Sequence, residues 1–172
     1  MRNKGINNIT ETALFIALVF LGIFLFKIPM PFGYMHLGDC TIFLAVLIIG
    51  GKRGAIAGGI GAALADIVSG YTIWAAPTFI CKAALALVMG LVISKHVFGL
   101  KGKAAWIAGG VAGGIVQSIG YLISWYVLFG KAAMIAAIIP LIGQTGAGIV
   151  LAFVIAAALE KTALKTRFQG AV

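Results

Sequence analysis

Three ionisable side chains lie within or beside apolar stretches of this 172-residue chain: Asp39, Asp66 and Lys82. A full charge at the centre of a membrane costs on the order of 2.5–3.5 kcal/mol even on the lenient insertion scale, so such residues usually pair and serve a function. Lys82 has two candidate partners, Asp66 and Asp39, and Asp39 also stands where it can cap a helix. The sequence leaves open whether these charges are structural or face a ligand.

A second set of side chains has the spacing of a ligand-binding face. Gln117, Tyr121 and Trp125 recur every four residues, which places them on one face of a helix. Amide groups donate and accept hydrogen bonds, and aromatic rings stack on planar ligands. Ordinary packing between helices uses the same spacing, so this pattern is compatible with both roles.

Three more candidates lie in or beside the segments that join the apolar runs. His36 and Trp74 occur in the aromatic stretches PFGYMH and GYTIWAAP, and Gln144 follows Pro140, which we expect to begin the last helix. Aromatic residues at such positions are typical of the membrane interface. The alternative interpretation is that these segments cover a site to which His36, Trp74 and Gln144 contribute polar and stacking groups.

The composition identifies the elements that must position these residues. Hydrophobic residues make up 62% of the chain and charged residues 10%, a balance outside the range of soluble globular domains. We therefore predict an integral membrane protein. Its two cysteines, Cys40 and Cys81, have apolar neighbours and are expected to be reduced core residues.

Six apolar runs are candidates for membrane-spanning helices, at residues 9–26, 37–50, 54–69, 77–94, 104–129 and 138–161. The second and third are short for a hydrocarbon core of about 30 Å and require ends that neighbouring helices cover. All six fit one domain, residues 1–172. The predicted fold class is therefore all-α, an integral membrane bundle of six transmembrane helices.

The basic residues predict the orientation of this bundle. With a cytoplasmic N-terminus, ten lysines and arginines fall on the cytoplasmic side and two, Lys27 and Lys131, on the outer side, in agreement with the positive-inside rule. Both termini are then cytoplasmic, and the candidate site lies near the outer face. Because the basic residues are scattered at the ends of apolar runs, nucleic acid is not an expected partner.

Several classes of function lack their sequence signatures. The chain contains no GxxxxGK[ST] phosphate-binding loop, so it is not expected to hydrolyse ATP itself. It contains no HExxH motif, and His36 and His96 are predicted on opposite sides of the membrane, which disfavours a metal centre or an intramembrane protease. We therefore assign no enzymatic activity, cofactor or metal to the chain.

Besides the six predicted helices, the chain contains an AxxxA patch formed by Ala13 and Ala17 and the segments MHLGD, GGIGAALADIVSGYTIWAAPTFICKA and IIPLIGQTGAG. Through these features nearly the whole chain resembles the substrate-binding S component of energy-coupling factor (ECF) vitamin transporters. These segments are similar to S components assigned to hydroxymethylpyrimidine or pyridoxine. The resemblance implies a multi-pass protein of the bacterial plasma membrane.

The resemblance also implies a division of labour between subunits. Ala13 and Ala17 would contact a membrane-embedded T component, which couples to two cytoplasmic ATPases that hydrolyse the ATP. The chain itself would bind a small hydroxylated heteroaromatic vitamin at its outer side. The residues with suitable chemistry for that ligand are His36, Asp39, Asp66, Trp74, Lys82, Gln117, Tyr121, Trp125 and Gln144.

Two rival interpretations stay open at this point. One is a self-sufficient carrier in which Asp66 exchanges protons for solute, and the other is a scaffold subunit that transports nothing. Proton coupling would need a carboxylate that is accessible from each side in turn. The predicted cytoplasmic half of the bundle offers no second acid near such a path.

Overall fold

The computed structural model describes residues 4–30, 33–162 and 168 of the chain. Its helices are α1 (Lys4–Phe24), α2 (Asp39–Ile49), α3 (Gly51–Val68), α4 (Ala75–Ser94) and α5 (Gly102–Leu159). Two short strands, β1 (Lys27–Met30) and β2 (Gly33–His36), lie between α1 and α2, and single 3-10 turns occupy Thr72–Trp74 and Val97–Gly99. The predicted all-α class is confirmed, with one hairpin added to it.

Three helical stretches of the described residues are long and apolar enough to cross a membrane: Gly5–Phe24, Thr72–Ser94 and Gly102–Leu159. Many large aliphatic side chains are exposed on these helices, as is required of surfaces that face lipid. Helix α2 is apolar but has only 11 residues, so it rises about 16 Å. The chain is therefore a helical membrane protein in which the helices differ widely in length.

Helix α5 is divided in two at Gly130. This residue has φ 83° and ψ 179°, a backbone conformation that glycine adopts without steric cost. The division leaves a first arm, residues 102–129, and a second arm, residues 131–159. The expectation that Pro140 begins the last helix is wrong, because Gly130 already makes the break and Pro140 lies inside the second arm.

The hairpin formed by β1 and β2 is antiparallel, with Lys27 opposite His36. Tyr34 and His36 are two residues apart in β2 and therefore point to the same side of the hairpin; their ring centroids are 5.8 Å apart. At the other strand, the Lys27 ammonium donates a hydrogen bond of 2.9 Å to the Ser69 hydroxyl just after α3. The hairpin is thereby attached to the end of the helix that carries Asp66.

The core contains large buried side chains from α2, α4 and the first arm of α5, and glycines let the helices approach one another closely. One close backbone approach joins Gly51 of α3 to Gly90 of α4: a Cβ placed on Gly90 would lie 2.4 Å from the Gly51 Cα. No side chain fits at that distance. These two glycines therefore allow α3 and α4 to pack closely at this end of the helices.

We expect Gly90→Ala to destabilise the bundle, because the added methyl group must push α3 and α4 apart. Overpacking of this kind costs about 1–3 kcal/mol in the free energy of unfolding, which denaturant titration in detergent measures. Gly146→Ala is the matched control, since a Cβ at Gly146 meets no atom within 4 Å. Equal stability of the two variants would contradict the close contact between α3 and α4.

Candidate ligand-binding site

A cavity lies between the hairpin, the ends of α3 and α4, and both arms of α5. The volume available to the centre of a water-sized sphere is about 50 Å³. The total empty space, which includes the part open to solvent, is about 410 Å³. The residues that line it are Tyr34, His36, Asp66, Trp74, Thr78, Tyr121, Trp125, Leu141 and Gln144. Six of the nine predicted site residues are among them: His36, Asp66, Trp74, Tyr121, Trp125 and Gln144.

The apolar wall of the cavity consists of three large aromatic rings. The centroid of the Trp74 ring lies 4.8 Å from that of Trp125, at an interplanar angle of 53°, and 6.2 Å from that of Tyr121, at 49°. Tyr121 and Trp125 are four residues apart in the first arm of α5, and both are buried, as the predicted helix face requires. All three rings line the cavity, so they supply aromatic surface against which a planar guest can pack.

The acidic group of the cavity is Asp66, which is 4% exposed. The Tyr34 hydroxyl donates a hydrogen bond of 2.5 Å to Asp66 Oδ1, and Thr78 faces the same carboxylate. The second oxygen, Oδ2, is buried and meets no hydrogen-bond partner, by distance and angle, among the described residues. A buried carboxylate oxygen without a donor is costly, so Asp66 has an unused acceptor for a ligand.

His36 and Gln144 supply the neutral polar groups of the site. The Gly38 backbone N–H donates to His36 Nδ1 at 3.2 Å, so the ring proton is carried by Nε2. Burial, together with the positive charge of Lys82, lowers the pKa of His36 to about 3, and the imidazole is therefore neutral at physiological pH. Gln144 Oε1 accepts a hydrogen bond of 3.2 Å from the His36 backbone N–H, which joins the hairpin to the second arm of α5.

The three remaining predicted residues form a buried network beside the cavity. Lys82 Nζ donates to Asp39 Oδ1 at 2.5 Å and to Gln117 Oε1 at 2.9 Å. Gln117 Nε2 in turn donates to Asp39 Oδ2 at 2.8 Å and to the Thr145 hydroxyl at 2.9 Å. Of the two partners that the sequence allows for Lys82, the structure therefore selects Asp39.

Asp39 does not cap α2, although it is the first residue of that helix. Gly38 occupies the N-cap position and α2 has no side-chain cap bond. The carboxylate of Asp39 is instead directed to Lys82 and Gln117, and Gln144 Nε2 donates to its Oδ2 at 3.3 Å. The carboxylate is therefore used in a buried ion pair rather than at the end of the helix.

Three residues that line the cavity are absent from the predicted set: Tyr34, Thr78 and Leu141. Two of them have a signal in the sequence. Tyr34 precedes His36 by two residues, which is the period of a strand face, and Thr78 precedes Lys82 by four, which is the period of a helix face. The spacing of Tyr34 and His36 indicates a shared face only if the segment is a strand, and the sequence pattern does not predict a strand there.

The predicted docking patch lies on the surface of α1. Ala13 and Ala17 are both exposed, and Leu14 and Leu18 beside them are 58% and 41% exposed. The opposite side of the helix is buried and includes Val19. The patch is therefore an exposed apolar surface that is not used in packing the described bundle.

Comparison with known proteins identifies the family of the chain. A family model described as "ECF-type riboflavin transporter, S component" matches residues 3–161. The thiamine precursor transporter HmpT of Lactococcus lactis subsp. cremoris (strain MG1363) is 30% identical over 174 residues, which cover 99% of this chain and 98% of HmpT. An uncharacterized protein of Pyrococcus woesei is 36% identical over 129 residues, 74% of this chain and 84% of the relative. Because the family model covers most of the sequence, this chain is a transporter component that belongs to the S-component family of ECF-type transporters.

Proposed function

We propose that this chain binds a small hydroxylated heteroaromatic, hydroxymethylpyrimidine or pyridoxine, for import by an ECF transporter. The observation that carries the proposal is the cavity, which combines an aromatic wall with a carboxylate oxygen that has no described protein partner. A planar ring stacks on Trp74 and Trp125, and a polar group of the ring system donates a hydrogen bond to Asp66 Oδ2. Gln144 and the neutral His36 offer further hydrogen bonds to ring substituents.

The size of the cavity supports a ligand with one ring. The matched family model takes its name from riboflavin, which has three fused rings and a sugar-alcohol chain, whereas HmpT takes its name from a thiamine precursor. A reachable space of about 50 Å³ is small even for a single ring, so a fused tricycle would have to displace more of the lining than a one-ring ligand would. The name of HmpT supports hydroxymethylpyrimidine as the first candidate.

We further propose that α1 to α4 and both arms of α5 cross the plasma membrane, with both termini cytoplasmic. Ion pairs join basic residues to acids near the helix ends assigned to the cytoplasm, Arg53 to Glu11 at 2.9 Å and Lys103 to Glu160 at 2.8 Å. This arrangement agrees with the positive-inside rule. It makes residues 1–172 one substrate-binding domain whose cavity opens to the outside.

Membership of the ECF family implies association with a membrane-embedded T component and with ATPases. The exposed patch at Ala13 and Ala17 supports α1 as the docking helix, because small side chains let another helix approach the backbone closely. In this proposal ATP is hydrolysed by the partners. The chain itself contributes substrate recognition.

Titration calorimetry with the purified chain tests the binding proposal. We expect hydroxymethylpyrimidine or pyridoxine to bind without any partner subunit, and riboflavin not to bind. Trp74→Ala should weaken binding roughly tenfold or more, since stacking of one base on an aromatic ring is worth about 1–3 kcal/mol. Tyr126→Ala is the matched control, because Tyr126 is 56% exposed and lies outside the cavity.

Two outcomes would contradict the proposed function. The first is a folded sample that binds neither hydroxymethylpyrimidine nor pyridoxine. The second is proton-dependent uptake by cells that express this chain without T component or ATPases, which would favour a self-sufficient carrier that uses Asp66.

A further inference from the structure

Among the described residues, the lining of the cavity contains one acid and no lysine or arginine to balance it. Of the described residues that line it, Asp66 is the acid, His36 is neutral, and none is lysine or arginine. The neighbouring pair of Asp39 and Lys82 contributes no net charge, because both members are buried together as an ion pair. A neutral ligand would therefore enter a site in which one carboxylate has no counter-ion of its own.

The groups around Asp66 do not remove this imbalance. Several polar and ionisable side chains, from every element packed around Asp66, face Asp66 or the adjacent cavity. They are Tyr34, His36, Asp39, Tyr71, Thr78, Lys82 and Tyr121. Lys82 is the cation of this set. Its ammonium is hydrogen bonded to Asp39 and Gln117 rather than to Asp66, so Asp66 has no hydrogen-bonded cation among the described residues.

The aromatic wall favours a cation in the same place. Faces of Trp and Tyr rings attract positive charge, and an aromatic cage with a nearby carboxylate is a common way to bind a cationic ligand. Trp74, Tyr121 and Trp125 form such a wall, and one face of Tyr121 already lies 5.1 Å from Lys82 Nζ. The two tryptophans are the rings that a ligand would find most favourable.

We propose, building on the proposed function, that the site binds its heteroaromatic ligand as the ring-protonated cation, with Asp66 as the counter-ion. The ring nitrogen of the neutral ligand takes up one proton from the aqueous buffer, an N–H bond forms, and no other bond changes. The resulting charge of +1 pairs with the charge of −1 on Asp66, whose Oδ2 accepts the hydrogen bond. Asp66 thereby selects basic nitrogen heterocycles over neutral aromatic compounds of the same shape.

Nuclear magnetic resonance of ring-¹⁵N-labelled hydroxymethylpyrimidine and pyridoxine, each with the purified chain, tests this selection directly. The measurement is made at a pH where the free ligand is neutral at its ring nitrogen. We expect the bound ring nitrogen to have the chemical shift of the protonated form. An unprotonated shift in the wild-type complex would overturn the proposal, whereas absence of binding by both ligands would overturn the proposed function and this inference with it.

A second measurement compares the affinity of each ligand with that of its neutral isostere, in which C–H replaces the ring nitrogen. The isostere should bind the wild type at least tenfold more weakly, and Asp66→Asn should abolish that difference. Tyr34→Phe removes the hydrogen bond to Oδ1 but keeps the charge, so it should retain the preference. Equal affinities in the wild type would overturn the proposal, and this comparison stands even if Asp66→Asn does not fold.

Discussion

Lys82→Met should destabilise the protein by about 3–5 kcal/mol, because it leaves the carboxylate of Asp39 buried without a cation. Both side chains of the pair are 0% exposed, so water cannot solvate the remaining charge. Gln117 and Gln144 continue to donate hydrogen bonds to Asp39, but amides do not neutralise it. Unfolding of the purified protein by denaturant in detergent measures the loss.

Two controls separate the buried charge from the loss of a side chain. Adding Asp39→Asn to Lys82→Met removes the uncompensated charge and should restore most of the stability. Lys103→Met breaks the pair with Glu160, in which Lys103 is 64% exposed, and should cost no more than about 1 kcal/mol. Similar losses for Lys82→Met and Lys103→Met would contradict the importance of the buried pair.

Replacing both Ala13 and Ala17 with tryptophan should abolish ATP-dependent uptake while ligand affinity in detergent stays unchanged. Two indole rings on the exposed face of α1 would keep a partner helix from approaching, but they do not touch the cavity. The measurement is uptake of labelled ligand by cells that express the chain with its T component and ATPases. Calorimetry on the same purified variant reports ligand binding.

A matched pair on another helix controls for bulk on the lipid-facing surface. Ala132 and Ala136 are also four residues apart and exposed, on the second arm of α5, and their replacement by tryptophan should leave uptake intact. Loss of uptake in both double variants would indicate a general effect of added bulk. Retained uptake in the α1 variant would contradict the assignment of α1 as the docking helix.

The positions of the helices follow from the sequence, because long apolar runs leave few alternatives to a membrane helix. The run predicted at residues 77–94 corresponds to α4, Ala75–Ser94, and the face of Gln117, Tyr121 and Trp125 is buried as its spacing requires. The sequence pattern does not predict the hairpin, because its strands have four residues each and β1 contains Pro29. Such strands form through pairing with each other and through contacts with helix ends, which local patterns do not reveal.

The partner of Lys82 illustrates a different limit. Asp39 and Asp66 are both predicted near the outer side, and a helix turns by about 100° per residue. Which carboxylate meets the lysine therefore depends on how α2 and α3 are rotated against α4, and that rotation is decided by packing such as the contact between Gly51 and Gly90. The depth of a residue is readable from the sequence, but its direction around the helix axis in the assembled bundle is not.

The spacing along the chain of the groups around Asp39 sets an order of events during biosynthesis. Lys82 is synthesised 43 residues after Asp39, Gln117 78 residues after it, and Gln144 105 residues after it. When α2 leaves the ribosome, its acid has no counter-ion, and burying it in lipid would cost on the order of 2.5–3.5 kcal/mol. We expect α2 to settle in the bilayer only once α4 has arrived, and its hydrogen bonding to be completed when the last arm of the chain is inserted.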